Sequence, residues 1–127
     1  MKDHGATILI VDDDAEWRNV LRLALEGAAF HVIEVPHGDL ALVAVEQHAP
    51  DVVVLDHHMP GLDGLSLIGL LRRRWPTLPL VLTSAFCDPV TVERALRAGA
   101  TRYLDKPFRL RALLAEIEAL IKHRQVS

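Results

Sequence analysis

The stretch Asp51-Val52-Val53-Val54-Leu55-Asp56, followed at once by His57-His58-Met59-Pro60-Gly61-Leu62-Asp63-Gly64, decides the fold. Four consecutive aliphatic residues read as a strand buried on both faces, which is how strands of a parallel sheet read. The Pro-Gly turn just beyond ends that strand. A carboxylate at this point, Asp56, is held at the edge of the sheet, where open parallel α/β proteins bind ligands and do chemistry.

Working outward, the same pattern recurs. Short aliphatic runs stand at Thr7 to Val11, His31 to Val35, Val52 to Leu55, Leu80 to Thr83 and Thr101 to Leu104, each followed by a segment of helical periodicity. In the first helix Trp17, Val20, Leu21, Ala24, Leu25 and Ala28 recur three and four apart, and Asp13 with Glu16 forms a capping box at its start. The last helix repeats the logic with Leu110, Leu113, Leu114, Ile117, Leu120 and Ile121. Five β-α units imply an α/β fold, a doubly wound five-stranded parallel sheet with helices on both faces, because parallel strands need right-handed crossovers.

Composition agrees with one domain. The 127 residues are half hydrophobic, enough for a core without disulfides, and the formal net charge of −3 lacks the basic excess of a nucleic-acid binder. Cys87 is the only cysteine and so has no mate within the chain. No apolar run approaches the ~18 residues of a membrane span, and Met1 leads through a polar segment into the first strand, so the chain reads as a soluble cytoplasmic protein with no membrane partner.

The polar residues at the strand ends converge on one edge. The first strand ends in Asp12-Asp13-Asp14, the third in Asp56, the fourth in Thr83-Ser84 and the fifth in Asp105-Lys106-Pro107. Crowded carboxylates repel one another and need a hard cation, and oxygen ligands favour Mg²⁺. A lysine and a hydroxyl from neighbouring strands suit a phosphoryl group, which the carboxylate between them can attack at phosphorus. The catalysis then lies in positioning and charge neutralisation.

These residues resemble, over essentially the whole chain, the receiver domains of two-component response regulators. The features that carry the likeness are the acidic pair after the first strand, the Asp followed by Met-Pro-Gly-x-Asp-Gly, the Ser-Ala after the fourth strand, Ala98-Gly99-Ala100, and Lys106-Pro107-Phe108. The resemblance implies a (βα)5, flavodoxin-like receiver fold over residues 1–127, with no output domain in this chain. It implies that Asp56 is the phosphoacceptor and that Asp13 and Asp56, with the backbone carbonyl of His58, ligate Mg²⁺, while Asp12 acts largely through water. Lys106 would hold a phosphoryl oxygen, and the Lys106-Pro107 bond would be cis. Family spacing selects Ser84 over Thr83 as the switch hydroxyl, because Pro79 and Ala85 flank it in register; Thr83 then belongs to the opposite face of the strand. Tyr103 is the second switch residue. Residues 88–124, the fourth helix through the fifth, form the surface that changes.

The implied function is a phosphorylation-controlled switch, supplied by a sensor histidine kinase or a histidine phosphotransfer protein. It is not an enzyme beyond self-catalysed phosphotransfer and slow autodephosphorylation. Downstream stands a protein partner, or an output domain missing from this chain, with no direct nucleic-acid contact. Glu93, Arg94, Arg97, Arg102, Arg111 and Glu116 leave a phosphorylation-dependent homodimer open, with surface solvation the weightier reading. A phosphorylation-independent interaction module and an aspartyl-phosphate hydrolase are the rivals; the intact acidic residues oppose the first and the lack of a substrate cap opposes the second.

Several residues carry a plainer reading. Asp14, Asp63 and Asp105 read as cap, turn or solvent-facing residues, and Arg72-Arg73-Arg74-Trp75 as a solvated helix end whose cations complement the dipole. Cys87 reads as an incidental thiol. Seven histidines invite a transition metal, but the adjacent rings of His57 and His58 should point to opposite sides of an extended segment, poorly placed for one ion. His58 also departs from the commoner family pattern of Asn, Arg or Met at its position. With Phe86 it borders the phosphoryl group and should tune access of water. Trp17, one helical turn beyond Asp13, is placed to report ligand binding by fluorescence.

Overall fold

The computed structural model describes residues 5–85 and 88–126; Phe86 and Cys87 lie outside the described residues, as do the first four residues and the last. Strands and helices alternate without exception: β1 (Thr7–Val11), α1 (Ala15–Gly27), β2 (His31–Val35), α2 (Gly38–His48), β3 (Val52–Asp56), α3 (Gly64–Arg74), β4 (Leu80–Ser84), α4 (Pro89–Ala98), β5 (Arg102–Asp105) and α5 (Leu110–Val126). All strand pairs are parallel, in the order β2-β1-β3-β4-β5. The doubly wound sheet expected from the alternation is present. β3 and β4 each run one residue further than the expected runs Val52 to Leu55 and Leu80 to Thr83, so that Asp56 and Ser84 are the last residues of their strands.

Strand order dictates where the helices lie. The chain steps from β1 outward to β2, then crosses back over β1 to β3 and onward to β5. Right-handed crossovers put a helix of the outward step on one face and those of the return steps on the other. Accordingly, Leu21 and Leu25 of α1 join Leu113, Ile117, Leu120 and Ile121 of α5 in one buried cluster with Ile8, Ile10, Val52, Val54 and Val81. The opposite cluster holds Leu9, Val11, Val53, Leu55, Leu80 and Leu82 against α2, α3 and Ala95 of α4. Successive strand residues feed alternate faces, which is why the middles of β1, β3 and β4 are apolar on both faces. The direction of winding reverses between β1 and β3, and the crevice beyond their C-terminal ends is the switch point of the sheet. Asp12 follows one of those strands and Asp56 ends the other.

Two local features differ from the sequence-based expectation. The N-cap of α1 is Asp14, not Asp13: its Oδ1 accepts from the backbone N–H of Glu16 at 3.1 Å and of Trp17 at 3.2 Å. The side chain of Asp12 accepts from the N–H of Asp14 at 2.9 Å, a turn that delays the helix by one residue. Arg72 is not a solvated helix end. It is half-buried, and its guanidinium donates to the carbonyls of Gly99 at 2.6 Å, Pro76 at 2.9 Å and Trp75 at 3.1 Å, joining the end of α3 to the turn before β5. Asp63 is the N-cap of α3, accepting from Ser66 N–H at 2.8 Å, in keeping with its plainer reading. Among the described residues no helix is long and apolar enough to cross a membrane.

Candidate functional site

The site is built by strand ends. β1 delivers Asp12 and Asp13, β3 delivers Asp56, and the turn after β5 delivers Lys106. Asp12 and Asp56 are buried, at 2% and 6% exposure, while Asp13 is exposed. One carboxylate oxygen from each of the three lies within 4.8 Å of the others, the only group of three or more potential metal-ligating side chains among the described residues. Lys106 bridges two of them: its Nζ stands 3.0 Å from Asp12 Oδ2 and 3.3 Å from Asp56 Oδ1. The lysine is aimed by its own backbone, whose N–H donates to the carbonyl of Ser84 at 2.7 Å, and the Lys106-Pro107 bond is cis.

Close packing holds Asp56 in place. The backbone N–H of His57 donates to Thr83 carbonyl at 2.9 Å, and Gly64 N–H donates to the His57 carbonyl at 3.0 Å. A Cβ on Gly64 would lie 2.6 Å from the Asp56 carbonyl and 2.7 Å from His57 Cα, both backbone atoms, so only glycine lets α3 begin this close to the acidic strand end.

Burial, then the charge of Asp12, push the Asp56 carboxyl above its usual value, and Lys106 opposes them without prevailing. Three carboxylates against one ammonium leave uncompensated negative charge. Clustered oxygens carrying excess negative charge are the donor set of a hard divalent ion, so the residues fit Mg²⁺.

Ser84 is fully buried at the end of β4 and registers with Asp105 of β5, while Leu82 registers with Tyr103. By alternation Ser84 shares the face of Leu80 and Leu82, the same cluster against which Tyr103 packs half-buried. Thr83 registers with Asp56, but its hydroxyl donates to the Leu55 carbonyl at 3.4 Å. Ser84 and Tyr103 thus occupy one face, and the rival hydroxyl is engaged with β3.

His58 is exposed beside the half-buried His57. Their ring centroids are 4.6 Å apart, tilted at 45°, so the rings lie together rather than on opposite sides. The chain leaves its extended path at the end of β3, which removes the alternation that the expectation relied on. No third ligand joins the pair among the described residues, since the acidic trio is the only qualifying group.

Sequence reasoning missed two residues. Gly64 stands in the motif that carries the family resemblance, but its close approach to the backbone of Asp56 and His57 is not legible there. The ties of Arg72 are to residues distant in sequence and left no local signal.

The response regulator receiver domain model matches residues 8–118. The DNA-binding transcriptional regulator NtrC of Salmonella typhimurium is 37% identical over 118 residues, which cover 93% of this chain and 25% of that protein. The DNA-binding response regulator MtrA of Mycobacterium tuberculosis is 36% identical over 115 residues, 91% of this chain and 50% of the relative. The chain therefore spans between a quarter and a half of these curated relatives. Among solved structures, the receiver domain of Francisella response regulator 1452 superposes with a TM-score of 0.90 at 28% identity, covering 94% of this chain and 99% of that one.

Proposed function

The chain belongs to the response regulator receiver domain family, and from that premise we propose that it is a cytoplasmic two-component switch in which Asp56 accepts a phosphoryl group from a phosphohistidine. The observation that carries this reading is Lys106, whose ammonium sits between Asp12 and Asp56 at 3.0 and 3.3 Å. A cation so placed cannot neutralise both carboxylates, and it is positioned to follow charge from Asp56 to a phosphoryl oxygen.

In the reaction, an oxygen of Asp56 forms a bond to phosphorus as the P–N bond of the donor breaks. Mg²⁺, held by Asp12, Asp13, Asp56 and the backbone carbonyl of His58, would supply positive charge to the phosphoryl oxygens. Lys106 holds one such oxygen, and burial of Asp56 excludes all but a few waters from the acyl phosphate. Return to the resting state needs water to attack phosphorus, releasing inorganic phosphate and restoring the carboxylate; His58, exposed beside the site, borders that approach. The Ser84 hydroxyl is drawn to the phosphoryl group and Tyr103 follows inward, shifting an existing equilibrium. Their common face leads to α4, so output passes through α4, β5 and α5 to a protein partner or an output domain. Four of the six charges named on that surface pair within the chain, Glu93 with Arg97 and Arg102 with Glu116, each at 2.9 Å, which supports solvation over a charge-driven dimer.

The test is incubation with Mg²⁺ and acetyl phosphate, read by intact mass, beside Asp56→Asn. The expected result is one added phosphoryl group, absent from the variant. Labelling that persists in Asp56→Asn overturns the assignment. Rapid turnover of added phosphate esters favours a hydrolase instead, and a chain that neither labels nor binds beryllofluoride is an interaction module.

A further inference from the structure

Beside Lys106 the C-terminal edge carries a cleft of about 320 Å³ lined by Asp14, Trp17, Ala85, Lys106 and Pro107. Its aromatic wall is unusual in one respect: the Trp17 indole N–H is buried and meets no acceptor. Leucine would fill much the same space without stranding a donor. What the indole adds is its π face, the best of the aromatic faces for a cation. That face already attracts one, since Lys106 Nζ stands 5.7 Å from the ring centroid. The ring is braced from the side by Phe108, edge to face at 5.5 Å. Asp14 is exposed at the lip, fixed by the two backbone N–H groups that its Oδ1 caps.

An aromatic wall and a carboxylate lip, next to the lysine that reaches Asp56, suit a flat ring bearing positive charge. Resting on the reading of Asp56 as phosphoacceptor, we propose that this cleft seats the leaving group of the donor, and that Trp17 and Asp14 select an N-phosphorylated imidazolium over an acyl phosphate. Trp17 meets the face of the ring and Asp14 accepts from its distal N–H. As the Asp56 oxygen bonds to phosphorus, the P–N bond breaks and its electron pair passes to the ring nitrogen. The ring departs as neutral imidazole, keeping the proton on its other nitrogen. An acyl phosphate leaves instead as a carboxylate anion, which Asp14 repels.

The experiment compares phosphorylation rate constants of the full chain with phosphoimidazole and with acetyl phosphate, both with Mg²⁺, followed by intact mass. The ratio of the two constants is independent of the folded fraction, so a destabilised variant remains informative. Trp17→Leu should lower the phosphoimidazole-to-acetyl phosphate ratio about fivefold, and Trp17→Phe should restore most of it. Asp14→Asn should lower the ratio about twofold. If Trp17→Leu slows both donors equally, Trp17 merely positions Lys106 and the proposal fails; an unchanged ratio overturns it as well. Labelling of the unsubstituted chain by neither donor overturns the phosphoacceptor reading, and the inference with it.

Discussion

The two ends of the sheet are made of the same strands and have opposite electrostatics. At the N-terminal end, among the described residues, side chains and turn backbone beyond the strand ladder pair with one another. The Asp51 carboxylate accepts from Thr7 N–H at 2.8 Å while Asp51 N–H donates to the Thr7 carbonyl at 2.7 Å. Thr101 repeats the device between β4 and β5, its Oγ1 accepting from Leu80 N–H at 3.0 Å and its N–H donating to the Leu80 carbonyl at 2.7 Å. Arg72 satisfies three carbonyls, and Arg124 donates to the Asp51 carbonyl at 3.0 Å. At the C-terminal end three carboxylates cluster with one lysine, which reaches only Asp12 and Asp56, and Asp56 is harder to ionise than an ordinary carboxylate. One end spends its polar groups on stability; the other leaves negative charge uncompensated, which makes it receptive to a cation.

The comparison breaks first, if it breaks, at Arg72. Arg72→Ala removes the guanidinium that joins α3 to the turn before β5 and leaves carbonyls without donors, so the chain should lose about 3 kcal/mol of stability. Urea denaturation measures this, with acetyl phosphate labelling of Asp56 unchanged per folded molecule. A large drop in labelling rate together with mild destabilisation would show that the two ends are not separable.

Asp56→Asn is the opposite case, in which the proposed phosphorylation should be lost and stability should rise. The neutral amide relieves the repulsion from Asp12 and the cost of burying charge, for a gain of about 1 kcal/mol at neutral pH without Mg²⁺. The sign follows from linkage. A carboxyl whose pKa is raised on folding destabilises the fold fully above its folded pKa and not at all below its unfolded one, so the gap between variant and parent should close as pH falls through that window. Urea midpoints of both chains between neutral pH and pH 4 provide the measurement, and a gap that widens on acidification would contradict the charge account. Adding Mg²⁺ should stabilise the parent more than the variant, since ion binding to the native state adds to its stability.

How much was legible in the sequence follows the same division. The strand ends of the acidic edge announce themselves because their carboxylates and lysine interrupt apolar runs, so Asp12, Asp13, Asp56 and Lys106 stand out from the sequence alone. The alternation that gives the fold is equally local. What escaped depends on geometry that the sequence does not carry. Arg72 has a partner 27 residues away at Gly99, and nothing in Arg72-Arg73-Arg74 distinguishes the residue that turns inward. The cap of α1 fell one residue late because Asp12 organises the turn through its side chain. The rings of His57 and His58 lie together because period-two alternation ends where β3 ends.

The smallest effect is also the most direct probe of the contrast, because the two tryptophans sit at opposite ends. Trp17 lies by Lys106 at the acidic edge, and Trp75 lies under the guanidinium of Arg74, 4.6 Å from its centroid, at the other. Each indole emits beside a cation, but only the cation at Trp17 has a reason to move. When beryllofluoride and Mg²⁺ occupy the Asp56 site, Lys106 turns to the new anion and its field at the Trp17 ring changes, whereas Arg74 keeps its place. In a Trp75→Phe chain, emission should therefore shift in intensity on addition, saturating with the ligand; in a Trp17→Phe chain it should not. Asp56→Asn in the Trp75→Phe background separates occupancy of the site from mere ionic strength, and should abolish the change. An equal response from both tryptophans would mean that occupancy is felt across the whole sheet, and that the N-terminal end is part of the switch rather than its fixed support.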